Sequence, residues 1–240
     1  MPTPPTSPGM RPDAPARWGR RMTPAERMGA SIAVAVGLYG VSFGALAVAA
    51  GLDVWQAVAL SALMFTGGSQ FAFIGVLGGG GTLPAAVTAA SLLGVRNAVY
   101  AVQLNALLRP PARLRPLQAH LTIDESTATA VAQDDPDEQR RGFWTAGVGV
   151  WLLWTLFTLV GALAGEALGD PTVWGLDGAA VAAFLGLLWP RLRDRDPVVT
   201  AVAAAFVTLV AVPFVPPGVP IILAAVVSAA LSLVHHRRNP

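Results

Sequence analysis

Residues 66–81 read TGGSQFAFIGVLGGGG, and the fold turns on what this stretch is. It lies between two very apolar runs, residues 54–65 and 83–95. Gly67 and Gly68 interrupt an otherwise helical pattern. Each glycine weakens a helix by about 1 kcal/mol relative to Ala. Ser69 and Gln70 place two hydrogen-bonding side chains at the interruption. Backbone that leaves a helix inside a bilayer is tolerated only where protein buries it or a polar cavity solvates it. Transporters hold substrate at such broken helices near the membrane midplane. The pattern therefore predicts that residues 67–70 are non-helical or strongly distorted and face a polar cavity at membrane depth. A plain surface loop between two helices fits the same residues.

Working outward, the whole chain is apolar. Of its 240 residues 54% are hydrophobic and only 12% charged, about half the charged share of a soluble domain. Several runs approach the roughly 20 apolar residues that span a bilayer. The expected fold is all-α: a polytopic helical membrane protein of six to seven transmembrane segments, with a broken or re-entrant helix around residues 66–81. There is no cysteine, which excludes disulfides, thiolate metal sites and cysteine catalysis. No metal site and no cofactor is expected. The basic residues are all Arg, and their placement is read loop by loop as a topology signal, not as a nucleic-acid patch.

The expected organisation is a disordered basic cytoplasmic tail over residues 1–28, one transmembrane transporter domain over residues 29–235, and a short tail over residues 236–240. Within the domain, residues 109–142 form one long polar connection, expected to be cytoplasmic. Arg clusters lie in the N-terminal tail, at Arg109–Arg115, Arg140–Arg141, Arg191–Arg195 and at the C-terminus. The positive-inside rule puts all of them, and the N-terminus, in the cytoplasm of a plasma-membrane protein. That works only if residues 54–77 enter and leave on one side, giving six crossings. Counting them as a full span gives seven. A faint internal similarity pairs GALAVAAGLDVW (residues 44–55) with GALAGEALGDPTVWGLD (residues 161–177).

Arg96 is the only Arg well inside an apolar run, where charge is costly and marks a pathway or a partner. Arg96, Tyr100 and Gln103 fall at i, i+4 and i+7, on one helical face. A structural Arg bonded to backbone carbonyls, or one snorkelling to the surface, is the alternative. The candidate substrate-binding residues are Gly67, Gly68, Ser69, Gln70, Phe71, Arg96, Tyr100 and Gln103. Phe43 and Phe73 are further candidates for an apolar wall. Asp124, Glu125 and Glu166 are weaker candidates for coupling or gating. No catalytic residue is expected. An intramembrane serine protease needs a base near its Ser, and His120, His235 and His236 all lie outside the apolar runs. A channel, a structural membrane subunit and a transporter of another small amphipathic solute stay open as alternatives.

At these residues the chain resembles the AzlC family, the large subunit of branched-chain amino-acid exporters. YGVSFGALAVAAGL with the following VWQA is similar to the family's opening helix. Gly68-Ser69-Gln70-Phe71 matches its G-x-S-Q-F-like core. Arg96 with Tyr100, then Leu104 and Leu107, matches the segment usually written N-x-R-H-x-x-Y, and Asp124-Glu125 its later D-E pair. The chain departs from that third piece, with Gly94 at the position of the Asn and Asn97 at that of the His. The resemblance implies export of leucine, isoleucine and valine, with methionine as a further substrate. It also implies a small AzlD-like membrane subunit as partner. Proton coupling is expected because export against a gradient needs an energy source.

Overall fold

The computed structural model describes residues 21–168 and 192–238, with Val173, Leu185, Leu188 and Trp189 between them, and side chains up to Val234. The expected tail before residue 21 and most of the apolar run at residues 176–189 lie outside the described residues. Within them the chain is helical: α1 (Pro24–Ala49), α2 (Val54–Leu63), α3 (Gly68–Gly78), α4 (Leu83–Leu108), α5 (Arg115–His120), α6 (Asp124–Val131) and α7 (Pro136–Leu168). Then come α8 (Arg195–Ala211) and α9 (Val219–Arg238). Three of them, α1, α4 and α7, are long and apolar enough to cross a membrane by themselves.

Helix α1 starts at Pro24, earlier than residue 29, because Thr23 and Glu26 form a reciprocal cap. The Glu26 N–H donates to Thr23 Oγ1 (3.3 Å) and the Thr23 N–H to Glu26 Oε2 (2.8 Å), satisfying two of the orphan donors of a helix start. Helix α1 packs parallel to α7 through small residues. A methyl group added at Gly40 would sit 2.7 Å from the Trp154 carbonyl oxygen, and one at Gly44 or Gly161 would strike the facing backbone of Thr158 or Val41. Small residues let helix backbones approach in this way. The two GALA segments supply the closest contacts. Gly44 meets Thr158, three residues before Gly161, and Gly161 meets Val41, three residues before Gly44. The faint similarity thus marks two helices packed about a local pseudo-two-fold.

The ends of these helices define the two ends of the bundle. The Ala25 N–H donates to Glu138 Oε2 (3.3 Å) and Arg140 Nε to the Leu108 carbonyl (3.3 Å). The start of α1, the end of α4 and the start of α7 therefore share one end, rich in Arg. The opposite end holds the α1–α2 turn, the α3–α4 turn and the end of α7. Pro217, in the α8–α9 turn, packs beside Gly81 at this same end.

Helices α2 and α3 form a re-entrant hairpin. Ten and eleven residues rise only about 15 Å each, too short to span about 30 Å of hydrocarbon. The hairpin starts beside Ala50 and returns to it, since a methyl group on Gly78 would lie 3.3 Å from the Ala50 Cβ. Six crossings required this geometry.

The connection at residues 109–142 folds its middle part, residues 121–130, into the bundle. It forms a second hairpin, from the Arg-rich end. At its tip the Thr122 carbonyl accepts from Asn97 Nδ2 (3.2 Å), about 17 Å up α4 from Leu108. Leu121 lies on Gly147, and α6 then descends along α7 until Thr129 meets Gly142. Ser126 holds the tip, accepting from the Ile123 N–H (3.0 Å) and donating to the Leu121 carbonyl (2.7 Å). The tips of the two hairpins meet where the Phe65 ring lies 6.0 Å from that of His120.

Two measurements test this architecture. The chain has no native cysteine, so an Ala50→Cys/Gly78→Cys double variant is expected to form an intramolecular disulfide on mild oxidation. A full span would hold these positions about 30 Å apart and give none. In detergent, Gly161→Ala is expected to cost about 1–3 kcal/mol by overpacking. Gly75→Ala, with nothing within 4 Å of the added methyl, gains up to about 1 kcal/mol of helix propensity.

Candidate functional site

The helix break lies slightly earlier than the sequence suggests. Residues 64–67 leave the helix, whereas Gly68, Ser69 and Gln70 form the first turn of α3. The decisive residue is Gly67, with φ 52° and ψ −81°, a conformation open to glycine and strained for any residue with a Cβ. Ending α2 in mid-membrane strands its last carbonyls. Gln70 Nε2 donates to the Leu60 carbonyl (3.0 Å) and Trp151 Nε1 to the Ala62 carbonyl (3.0 Å). The start of α3, by contrast, has no side-chain cap.

Around this break lies a cavity of about 270 Å³. Its apolar wall comes from Val36 and Tyr39 of α1, Phe65, Phe71 of α3, and Val150 and Trp154 of α7. The rings are fixed against one another: Tyr39 stacks on Phe71 at 5.3 Å and meets Trp154 edge-on at 5.6 Å. Trp154 Nε1 donates to Gln70 Oε1 (3.1 Å). The polar wall is Thr66, Gly67 and Gly68 at the start of α3, Arg96 of α4, and Asp124 and Glu125 at the start of α6.

Arg96 Nη2 pairs with Asp124 Oδ2 at 2.9 Å, joining α4 to the tip of the second hairpin. Tyr39 OH, Thr66 Oγ1, Arg96 Nε and Asp124 Oδ1 are buried and have no hydrogen-bond partner among the described residues. Buried polar atoms are paired as a rule, so these four, on residues lining a single cavity, are free to bond a molecule placed in it. Helix α6 is not a spanning segment. The Glu125 carboxyl at its start is pushed up from the usual carboxylate range by burial first and by Asp124, against the lowering effects of its own backbone N–H and Arg96.

Gly67, Gly68, Phe71, Arg96, Asp124 and Glu125 thus come together on one cavity. The other candidates do not. Ser69 is buried against α4, its Oγ 3.5 Å from where a Cβ on Gly94 would lie. Gln70 is fully buried and spent as a bracket between Leu60 and Trp154. Gln103 is exposed and Tyr100 half-buried on α4, both outside the cavity lining. Glu166 is exposed near the end of α7. Phe43 packs in the core behind Phe71 and Trp154, and Phe73 lines a separate groove between α2 and α3. Sequence reasoning missed Tyr39, Thr66 and Trp154 as lining residues. The available signal was a Trp in the middle of a span, away from the interfaces where Trp concentrates.

Gln70→Leu is expected to destabilise the protein by about 1–3 kcal/mol, the cost of stranding buried partners, read as thermal unfolding in detergent. Ser69→Ala removes a hydroxyl without a partner among the described residues and is expected to be neutral.

No curated protein and no solved structure matches this chain. The family model described as AzlC protein matches residues 31–168, more than half of the chain and the part that carries both hairpins and the cavity. With its helical membrane fold and that match, the chain belongs to the AzlC protein family, a family associated with membrane transport.

Proposed function

We propose that this chain is a secondary transporter that exports branched-chain amino acids, with methionine as a further substrate, across the plasma membrane. The Arg-rich end faces the cytoplasm in this reading, following the positive-inside rule. A small AzlD-like membrane subunit assists it, and the proton gradient drives it. The observation that carries the reading is the two-sided cavity at the meeting of the hairpins. An amino acid with an aliphatic side chain presents a carboxylate, an ammonium and an apolar group. The carboxylate fits the uncapped N–H groups at the start of α3, where the helix dipole favours an anion, together with the Arg96 guanidinium. The apolar group fits against Val36, Phe71, Val150 and Trp154. Arg96 also keeps Asp124, and with it the tip of the second hairpin, beside the bound molecule.

The test is counterflow of labelled leucine, isoleucine, valine and methionine in proteoliposomes, with and without the small subunit. Saturable counterflow by wild type is expected. Arg96→Lys is expected to cut it at least tenfold, because Lys lacks the planar fork that can hold Asp124 and a carboxylate together. Unsaturable flux without counterflow would make the protein a channel. Wild-type flux in a well-expressed Arg96→Lys variant would remove Arg96 from the site.

A further inference from the structure

The cavity holds an unbalanced set of charges. Its lining contains one guanidinium, Arg96, and two carboxyls, Asp124 and Glu125. Arg96 is committed to Asp124 at 2.9 Å, so it cannot also neutralise Glu125 fully. Among the described residues, the other elements facing the cavity bring no second cation. Helix α1 contributes Tyr39, the α3 start contributes Thr66 and backbone, and α7 contributes Val150 and Trp154. His120, on α5, packs between Phe65 and Trp151 and is not part of the lining. With both carboxyls ionised the cavity would carry a net negative charge at membrane depth, which is costly without a counter-charge. A bound zwitterion is neutral overall and leaves that net charge as it is. What changes is the partner at Glu125 itself, and two partners fit the chemistry of the site. One is a proton on Glu125. The other is the ammonium of a zwitterion whose carboxylate lies at the α3 start and Arg96.

We propose that Glu125 is the group at which a proton and the substrate's ammonium exclude each other, so that one carboxyl couples export to proton entry. This rests on the amino-acid reading above. On the cytoplasmic side the arriving ammonium displaces the Glu125 proton, which leaves to cytoplasmic water. On the far side the substrate departs and the carboxylate takes up a proton from that side. Only the carboxyl O–H bond is broken and remade. One zwitterion leaves for one proton that enters, so each cycle moves one positive charge inward.

The test uses the full chain in lipid nanodiscs and dicyclohexylcarbodiimide, an apolar reagent that attacks protonated carboxyls, with the adduct mapped by mass spectrometry. Glu125 is expected to be labelled, with labelling falling as pH rises and suppressed by saturating leucine. Leucine binding is expected to weaken about tenfold per pH unit below the Glu125 pKa, the linkage for one competing proton. In Glu125→Gln that pH dependence is expected to vanish. Absent or pH-independent labelling of wild-type Glu125 would overturn the proposal without reliance on any variant. So would protection by sodium in place of amino acid. Leucine counterflow without protection of Glu125 would overturn the shared site alone. If labelling follows pH but leucine, isoleucine, valine and methionine neither exchange nor protect, both the amino-acid reading and the proposal fail.

Discussion

A peptide chain that stops helical in the middle of a membrane must find partners for the amide groups it exposes, each of which costs several kcal/mol if left bare. The two hairpins obey this constraint at every turn. Trp151 takes a stranded carbonyl of α2, Gln70 adds a second donor to the Leu60 carbonyl that the Met64 N–H already reaches, and Asn97 and Ser126 brace the tip between α5 and α6. These side chains come from four different helices, so neither tip can form until its neighbours are in place. The start of α3 is the exception. Its N–H groups have no side-chain cap, and they are left at the cavity instead.

The same constraint positions the chemistry. Gln70 touches no cavity, but its amide ties Leu60 to Trp154 and so holds the indole against Phe71 and Tyr39. The aromatic wall and the helix break are one construction. Arg96 plays the matching part on the polar side, where its pair with Asp124 joins a long helix to a short one. A residue that departs from the family's pattern, Asn97, holds the tip through its amide rather than through an imidazole.

Much of this could be read from residues, for identifiable reasons. Gly67-Gly68 marked the break because glycine opens positive φ. It misplaced the break by a few residues because only Gly67 uses that freedom, while Gly68 is helical. Arg96 announced itself by its cost in an apolar run, but its partner Asp124 lies 28 positions away on a segment whose polar letters look like a solvated loop. A hairpin buried within protein needs no lipid-compatible composition, so HLTIDESTATAV concealed its depth. Periodicity along α4 put Tyr100 and Gln103 with Arg96, but they lie one and two turns nearer the Arg-rich end, outside the cavity lining. The roles of Gln70 and Trp154 are long-range, and the one local trace was a Trp in the middle of a span.

The contact between α1 and α7 has a mechanical meaning. Where side chains separate two helices, rotamer changes let them slide. Where glycine brings backbone onto backbone, as at Gly44 and Gly161, nothing lies between to rearrange, and sliding would drive carbonyls through one another. The pair is therefore a stator. In the exporter proposed above, an opening that alternates between the two faces of the membrane would fall to the pieces hung upon it, the two short hairpins that enter from opposite ends.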